Sequence, residues 1–450
     1  MPRRLIVITL LLGLVGLGGG CARRQAVRPE SEEVLALELL DHLCRGEYSE
    51  ATRMFDPVLR ARLPAPQLES VWQGLAAQLG SLTSLDQTQT ARSDGHTVII
   101  VPMQFEAAVV NARVVFDERK QIAGLWFAPA QTGEAYSAPP YADFERFLER
   151  EVTVGGGDWA LPGTLSVPKG RGPFPAIVLV HGSGPHDRDQ TILANKPFRD
   201  LAHGLASRGV VVLRYDKRTL VHGAKMTTIT PQDEVTADAL AALELVREQP
   251  EVDGTRVFVL GHSLGGYLAP AIAAQAGETL LGGLIVMAAP ARPLEDVTLD
   301  QVRYIVGLSG PDASDAELQQ LRLFEKQVAR VKDAAGWEAA GGLPTPEQLP
   351  LGCPAEWWLA LLDYDPLAVA AGLAQPLLVL HGERDYQVTL EDLAGWSTLD
   401  RPGVAIKSFP HLNHLMMAGD GPATPGEYSR PANVDAEIIS TIAGWLEEMR

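Results

Sequence analysis

Residues 257–274, V-F-V-L-G-H-S-L-G-G-Y-L-A-P-A-I-A-A, leave this chain little freedom in how to fold. The apolar run predicts a buried strand, and the Ala-rich stretch after it predicts a helix. Between them stands Gly261-His262-Ser263-Leu264-Gly265, a G-x-S-x-G turn in its required strand–turn–helix setting. The turn is so tight that side chains two residues before and two after the serine would collide with neighbouring backbone, so both positions are glycine. Ser263 is left with its hydroxyl exposed at a helix N-terminus, where a nucleophile is wanted.

A serine hydroxyl is a weak nucleophile and needs a base, which in turn needs an acid to hold it. With this turn the expected chain order is serine, acid, histidine. Asp385 follows P-L-L-V-L-H-G-E-R (376–384), at the end of an apolar strand, and His414 follows V-A-I-K-S-F-P-H-L-N (404–413). Two competitors stay open: Glu383 for the acid and His411 for the base. His262 is expected to point away as a packing residue, and His381 to be structural.

A third strand end, L-V-H-G-S-G-P (179–185), can supply an oxyanion hole. Gly182 and Gly184 allow backbone to approach a substrate closely, and the Ser183 N–H would join that of Leu264 on the developing oxyanion. The adjacent P-H-D-R-D (185–189) and R-Y-D-K-R (214–218) either shape the pocket mouth or form ion pairs that hold the loops, the second reading being at least as favoured.

Short Val/Ile/Leu-rich runs at 174–180, 210–216, 257–262, 284–290, 376–382 and 404–410 alternate with helical stretches. Such runs predict a parallel sheet covered on both faces. The rhythm breaks between 290 and 376, where Leu299–Ile305 and Leu318–Val331 read as helices and 337–350 as loop; a helical cap of about 290–376 is expected there. Residues 31–80 read as helices, the first starting at Ser31 and ending at Gly46. Runs at 97–105, 108–116 and 122–127 read as strands, with a hairpin turn at Asp117–Lys120. The expectation is a small α+β accessory domain at 31–128, a linker rich in Pro, Ala and small polar residues at 129–142, and an α/β catalytic domain at 143–450. A length of 450 residues accommodates both.

Met1–Gly20 carries Arg3 and Arg4, an apolar core from Leu5 to Leu17 and three glycines before Cys21. These are the parts of an export signal, too short to span a membrane. Small residues before a cysteine resemble a bacterial lipoprotein signal with Cys21 as the lipidated mature N-terminus; Gly18 stands where that pattern usually has Leu. Ordinary cleavage near Gly20–Ala22 and an uncleaved anchor are the alternatives. The expected location is the cell envelope, with a lipid anchor to a membrane if Cys21 is modified.

Thirty-eight Lys plus Arg against 56 Asp plus Glu give a net charge of −18, unsuited to nucleic acid. Three cysteines exclude a disulfide scaffold and a Cys-rich metal site. Cys44 and Cys353 read as buried free thiols sooner than as a disulfide. No zinc, P-loop or EF-hand motif occurs in the sequence, and no metal or organic cofactor is expected.

From about residue 145 to 450 the chain resembles the bacterial α/β-hydrolase superfamily in its carboxylesterase branch. H-G-S-G-P-H-D-R-D, V-L-R-Y-D-K-R, G-H-S-L-G-G, L-H-G-E-R-D-Y-Q-V and L-N-H-L together look like one subfamily of exported esterases. Its members often carry an N-terminal domain of unknown function, to which 31–128 is similar. The resemblance implies an α/β-hydrolase sheet, a triad of Ser263, Asp385 and His414, and a small-molecule ester as substrate. Related peptidases of the prolyl-oligopeptidase type usually have Tyr where this chain has Leu264, and dienelactone hydrolases use Cys where it has Ser263. A peptidase or amidase on the same residues, and a non-catalytic envelope lipoprotein, are the alternative readings.

Overall fold

The computed structural model describes residues 31–93, 96–105, 109–129, 136–226, 229–277, 281–337 and 341–449. The export signal and Cys21 lie outside the described residues. The chain divides into two compact units, residues 1–133 and 134–450.

Among the described residues of the first unit, four helices precede a sheet: α1 (Glu32–Cys44), α2 (Tyr48–Arg53), α3 (Pro57–Arg62) and α4 (Ala65–Leu79). The Ser31 side chain caps α1 by accepting from the Val34 N–H. The apolar residues from Ala51 to Leu59 fall on two short helices, α2 and α3. Phe55 between them bridges to Ile122, and Asp56 caps α3. Strands β1 (Leu82–Leu85), β2 (Gln89–Ser93), β3 (His96–Phe105), β4 (Val109–Phe116) and β5 (Ile122–Pro129) form an antiparallel sheet ordered β1-β3-β4-β5, with β2 also on β3. One face packs against α1 and α4, where the Trp72 ring lies 6.1 Å from Phe105 and 5.8 Å from Phe127. Cys44 is free and exposed, which corrects the expectation of a buried thiol; Cys353, in the second unit, is free and half-buried.

The second unit is built on eight strands: β6 (Phe147–Val154), β7 (Leu161–Pro168), β8 (Phe174–Val180), β9 (Val211–Tyr215), β10 (Val252–His262), β11 (Gly283–Met287), β12 (Leu377–Gly382) and β13 (Val404–Phe409). Their order is β13-β12-β11-β10-β8-β9-β7-β6. From β13 to β9 all pairings are parallel; β7 runs antiparallel to both its neighbours. Central strands bury both faces. Along β8, Ala176, Val178 and Val180 enter one core while Ile177 and Leu179 enter the other, and β10 and β12 repeat the alternation.

Helices α5 (Pro197–Ala206) and α14 (Ala436–Glu448) cover one face. The other carries α7 (Ala237–Arg247) and α8 (Leu264–Ala276), and α6 (Arg218–Val221) follows β9. Between β11 and β12 lie α9 (Leu294–Gly307), α10 (Asp315–Lys332), α11 (Ala355–Leu359) and α12 (Pro366–Ala371), with short 3₁₀ turns at 346–348 and 350–352. Helix α13 (Leu390–Trp396) follows β12. Trp357 and Trp358 are buried in the core on the α8 side.

Residues 136–142, read from composition as linker, are fastened to the second unit. The Tyr136 hydroxyl donates to Asp200 at 2.7 Å, and the Tyr141 hydroxyl donates to the Val434 carbonyl at 2.7 Å.

Candidate active site

Loops from four strand ends, β8, β10, β12 and β13, meet at one edge of the sheet. Register aligns them: Gly261 on β10 pairs with Val180 on β8 and with Val286 on β11, and Gly382 ends β12 beside Phe409, the end of β13. The C-terminal edge of a parallel sheet, where strand order reverses, is where loops are free to diverge around a ligand.

At the end of β10, Ser263 adopts φ 54°, ψ −119°, a strained conformation for a residue with a side chain. The three glycines around it are sterically obligatory. A Cβ on Gly261 would lie 2.2 Å from the Gly265 carbonyl oxygen. On Gly265 it would lie 2.3 Å from the Val180 oxygen, and on Gly266 2.6 Å from the Ala289 Cβ. The Ser263 N–H is held by the Met287 carbonyl at 3.0 Å. Leu264 is the first residue of α8, so its N–H has no partner within the helix.

Asp385 and His414 come together. His414 Nδ1 lies 2.7 Å from Asp385 Oδ2, with both side chains buried. A carboxylate can only accept, so Nδ1 carries the proton and Nε2 is left with its lone pair. The other carboxylate oxygen accepts from the Gln387 and Val388 N–H groups at 2.8 and 3.0 Å. Asn413 shapes the histidine loop by accepting from the Leu415 and Met417 N–H groups. Its amide nitrogen donates to Glu427, which also pairs with Arg384. The competitors sit elsewhere: Glu383 is exposed and accepts from Ser408 at 2.7 Å, and His411 is exposed.

His262 does more than pack. It is 3% exposed and its ring centroid lies 4.7 Å from that of His414. Its Nε2 donates to the His414 carbonyl at 2.8 Å, and its Nδ1 accepts from the Gln190 amide at 2.8 Å. Gln190 Oε1 in turn accepts from the Gly182 N–H at 3.0 Å. Each donor has an acceptor in one direction only, which fixes both the Gln190 amide and the His262 tautomer. Burial holds His262 well below the usual imidazole range, so it stays neutral. Sequence reasoning does not single out Gln190; its φ of 50° inside a polar loop is invisible to periodicity.

The loop after β8 lies against the nucleophile, since a Cβ on Gly182 would come 3.2 Å from that of Ser263. The Gly182 carbonyl accepts from Lys217 at 2.8 Å and the Ser183 carbonyl from His186 at 2.7 Å. Burial brings His186 down to about 4, so it serves as a neutral donor. The Ser183 N–H finds no acceptor among the described residues, and Ser183 is exposed.

The charged clusters at 185–189 and 214–218 mostly form ion pairs: Arg188 with Asp216 at 3.0 Å, Arg214 with Asp189 at 3.0 Å, and Arg218 with Asp238. Lys217 turns inward and pairs with the buried Glu234 at 2.6 Å. His381 is buried, and burial lowers its pKa. Among the described residues no group of three or more His, Cys, Asp or Glu is arranged to hold a metal ion.

Residues 36–125 match a family of proteins of unknown function (DUF3887), and residues 177–425 match the alpha/beta hydrolase family. The chain is 38% identical over 413 residues to the esterase EstD of Thermotoga maritima, covering 91% of this chain and 94% of that protein. Among solved structures, an esterase of Pyrobaculum calidifontis superposes with a TM-score of 0.43 at 18% identity, covering 67% of this chain and 86% of that one. Est1E from Butyrivibrio proteoclasticus gives a TM-score of 0.43 at 15% identity, covering 66% of this chain and 98% of that one. With a family model spanning more than half the chain and a relative this similar over nearly its whole length, the chain belongs to the alpha/beta hydrolase family.

Proposed function

We propose that this chain is a serine carboxylesterase. Ser263 Oγ attacks the ester carbonyl while His414 Nε2 takes its proton. Asp385 holds the imidazole in the correct tautomer and stabilises its cationic form. The Ser183 and Leu264 N–H groups receive the oxyanion of the tetrahedral intermediate. His414 then protonates the leaving alcohol, and water, activated by the same imidazole, releases the acid from the acyl-enzyme. The observation that carries the reading is the buried 2.7 Å contact between His414 Nδ1 and Asp385, beside an elbow strained at Ser263. Similarity to a protein named as an esterase supports the ester as substrate class.

The test is turnover of p-nitrophenyl esters by single variants. Ser263→Ala and His414→Ala should each lower kcat by about 10⁴-fold or more, and His411→Ala far less. An inactive His411 variant beside an active His414 variant would assign the base wrongly. A higher kcat/KM on an aminoacyl p-nitroanilide than on the best ester would make the enzyme a peptidase.

Export and attachment to a membrane through a lipidated Cys21 belong to the same proposal. They rest on the residues before Cys21 alone. Among the described residues no helix is long and apolar enough to cross a membrane. If the anchor exists, wild-type protein partitions with membranes and Cys21→Ser does not.

A further inference from the structure

Lys217 and Glu234 form a buried ion pair that the chemistry above does not use. Lys217 is 2% exposed and Glu234 8%. The ammonium donates to Glu234 Oε1 at 2.6 Å and to the Gly182 carbonyl at 2.8 Å. Glu234 Oε2 accepts from the Trp357 indole N–H of α11 at 2.8 Å. Glu234 itself lies on a π-helical turn, Gln232–Thr236, which leads into α7; such turns are rare and frequent at functional sites. Trp357, Glu234 and Lys217 thus form one buried chain of hydrogen bonds that ends on the Gly182 carbonyl.

That carbonyl belongs to the peptide unit whose other edge is the Ser183 N–H. In a trans peptide the C=O and N–H point in opposite directions within one rigid plane. Fixing the oxygen therefore aims the N–H. The preceding peptide is fixed independently, because the Gly182 N–H is held by Gln190. Gly182 carries no side chain to resist rotation, so these two bonds decide how the plane stands. A cation on the carbonyl oxygen also draws electron density from the amide and makes its N–H a stronger donor.

A buried ion pair contributes little net stability, because desolvation offsets its attraction, and apolar replacements are often as stable. We propose that the Lys217–Glu234 pair positions the oxyanion hole: Lys217 holds the Gly182 carbonyl so that the Ser183 N–H faces the reacting oxygen, and Trp357 holds Glu234 in place. The inference rests on the esterase reading and assigns Lys217 and Glu234 as positioning residues that do not touch substrate.

The test uses the full chain. Lys217→Met with Glu234→Gln removes both charges and leaves neither buried alone. Active sites are titrated with a fluorophosphonate, so that misfolded protein is not counted. Per titrated site, kcat on p-nitrophenyl acetate should fall about 10- to 100-fold, with KM within about 3-fold. Affinity for a trifluoromethyl ketone, which forms a tetrahedral oxyanion, should fall in step with kcat/KM. A merely structural pair would lower the titre and leave both per-site quantities alone.

Glu234→Gln by itself provides a second readout should the double variant not fold. It leaves Lys217 without its counter-charge, so the ammonium deprotonates more easily. Besides Glu234, the titratable groups around Lys217 are His181 and His186, held neutral by burial, and Cys353, pushed up to about 12 by burial. None of these changes charge between about pH 6 and pH 10, so the variant should gain an alkaline loss of kcat that wild type lacks. Wild-type activity with a double variant within two-fold in kcat per site and ketone affinity overturns the proposal alone. So does a Glu234→Gln pH profile superimposable on wild type. A wild type that turns over no ester defeats the esterase reading, and this proposal with it.

Discussion

The Nε2 of His262 donates to the main-chain carbonyl of His414 across 2.8 Å, which ties the residue before the elbow serine to the backbone of the proposed base. Gln190 extends the tie to the Gly182 N–H. Nucleophile, base loop and oxyanion loop therefore share one buried chain of hydrogen bonds. Movement of any one strand end is felt by the other two.

Replacing Gln190 with Leu should lower kcat by about 10-fold, short of the 10²- to 10³-fold expected for loss of an oxyanion donor itself. It also strands the Gly182 N–H and His262 Nδ1 without partners, at about 1–3 kcal/mol each. Steady-state kinetics and urea unfolding on the same preparation check both effects. Unchanged kcat with lowered stability would make Gln190 a structural residue only.

Two glycine-to-alanine changes should move stability in opposite directions. Gly265→Ala drives a Cβ to 2.3 Å from the Val180 oxygen and 2.6 Å from the His181 oxygen, both backbone. The clash should destabilise by about 3 kcal/mol or more and abolish turnover. Gly444 lies within α14 and is exposed, and a Cβ added there would meet nothing within 4 Å. Its replacement should stabilise by about 0.5–1 kcal/mol through helix propensity. Thermal unfolding of the pair checks the contrast.

Where the second unit is cut should matter. Asp200 is fully buried, and burial pushes its carboxyl up to about 6 even though Tyr136, Val434 and Asn433 all donate to it. Tyr141 packs so closely on α5 that a Cβ on Gly204 would lie 2.8 Å from its ring. A chain beginning at Glu134 should be folded and active, whereas one beginning at Ala142 loses both tyrosines and should melt several degrees lower. Equal melting temperatures would mean the two tyrosines contribute nothing.

Glu149 should make stability depend on acid. Burial raises its pKa, but hydrogen bonds from His203 and Ser166 and the Arg214 charge outweigh burial and bring it from 4.5 to about 2. The folded state thus holds this group ionised where the unfolded state has begun to protonate it. Its contribution is full above 4.5 and is lost as pH falls toward about 2. Glu149→Gln should be less stable than wild type near neutrality, with the gap narrowing in urea titrations as pH falls from 4.5 toward about 2. A gap that is constant with pH would place the effect in packing.

The elbow, the serine–acid–histidine order and the run of buried strands are legible in the sequence because each is a local pattern. Apolar runs of strand length and glycines two residues either side of Ser263 need no knowledge of distant neighbours. Strands β1 and β2 escape such a reading because L-T-S-L and Q-T-A-R-S carry no apolar alternation; they exist through pairing with β3. The choice between Glu383 and Asp385, and between His411 and His414, depends on how two loops pack. Gly382 leaves room for the Leu412 and Asn413 carbonyls, since a Cβ there would sit 2.4 Å from the Leu412 oxygen. That close approach turns His414 onto Asp385 and leaves His411 in solvent. Gln190, Lys217, Glu234 and Trp357 have no periodic signature at all. Sheet register and helix packing bring them to Gly182 and His262, so only the tertiary structure could assign them a part.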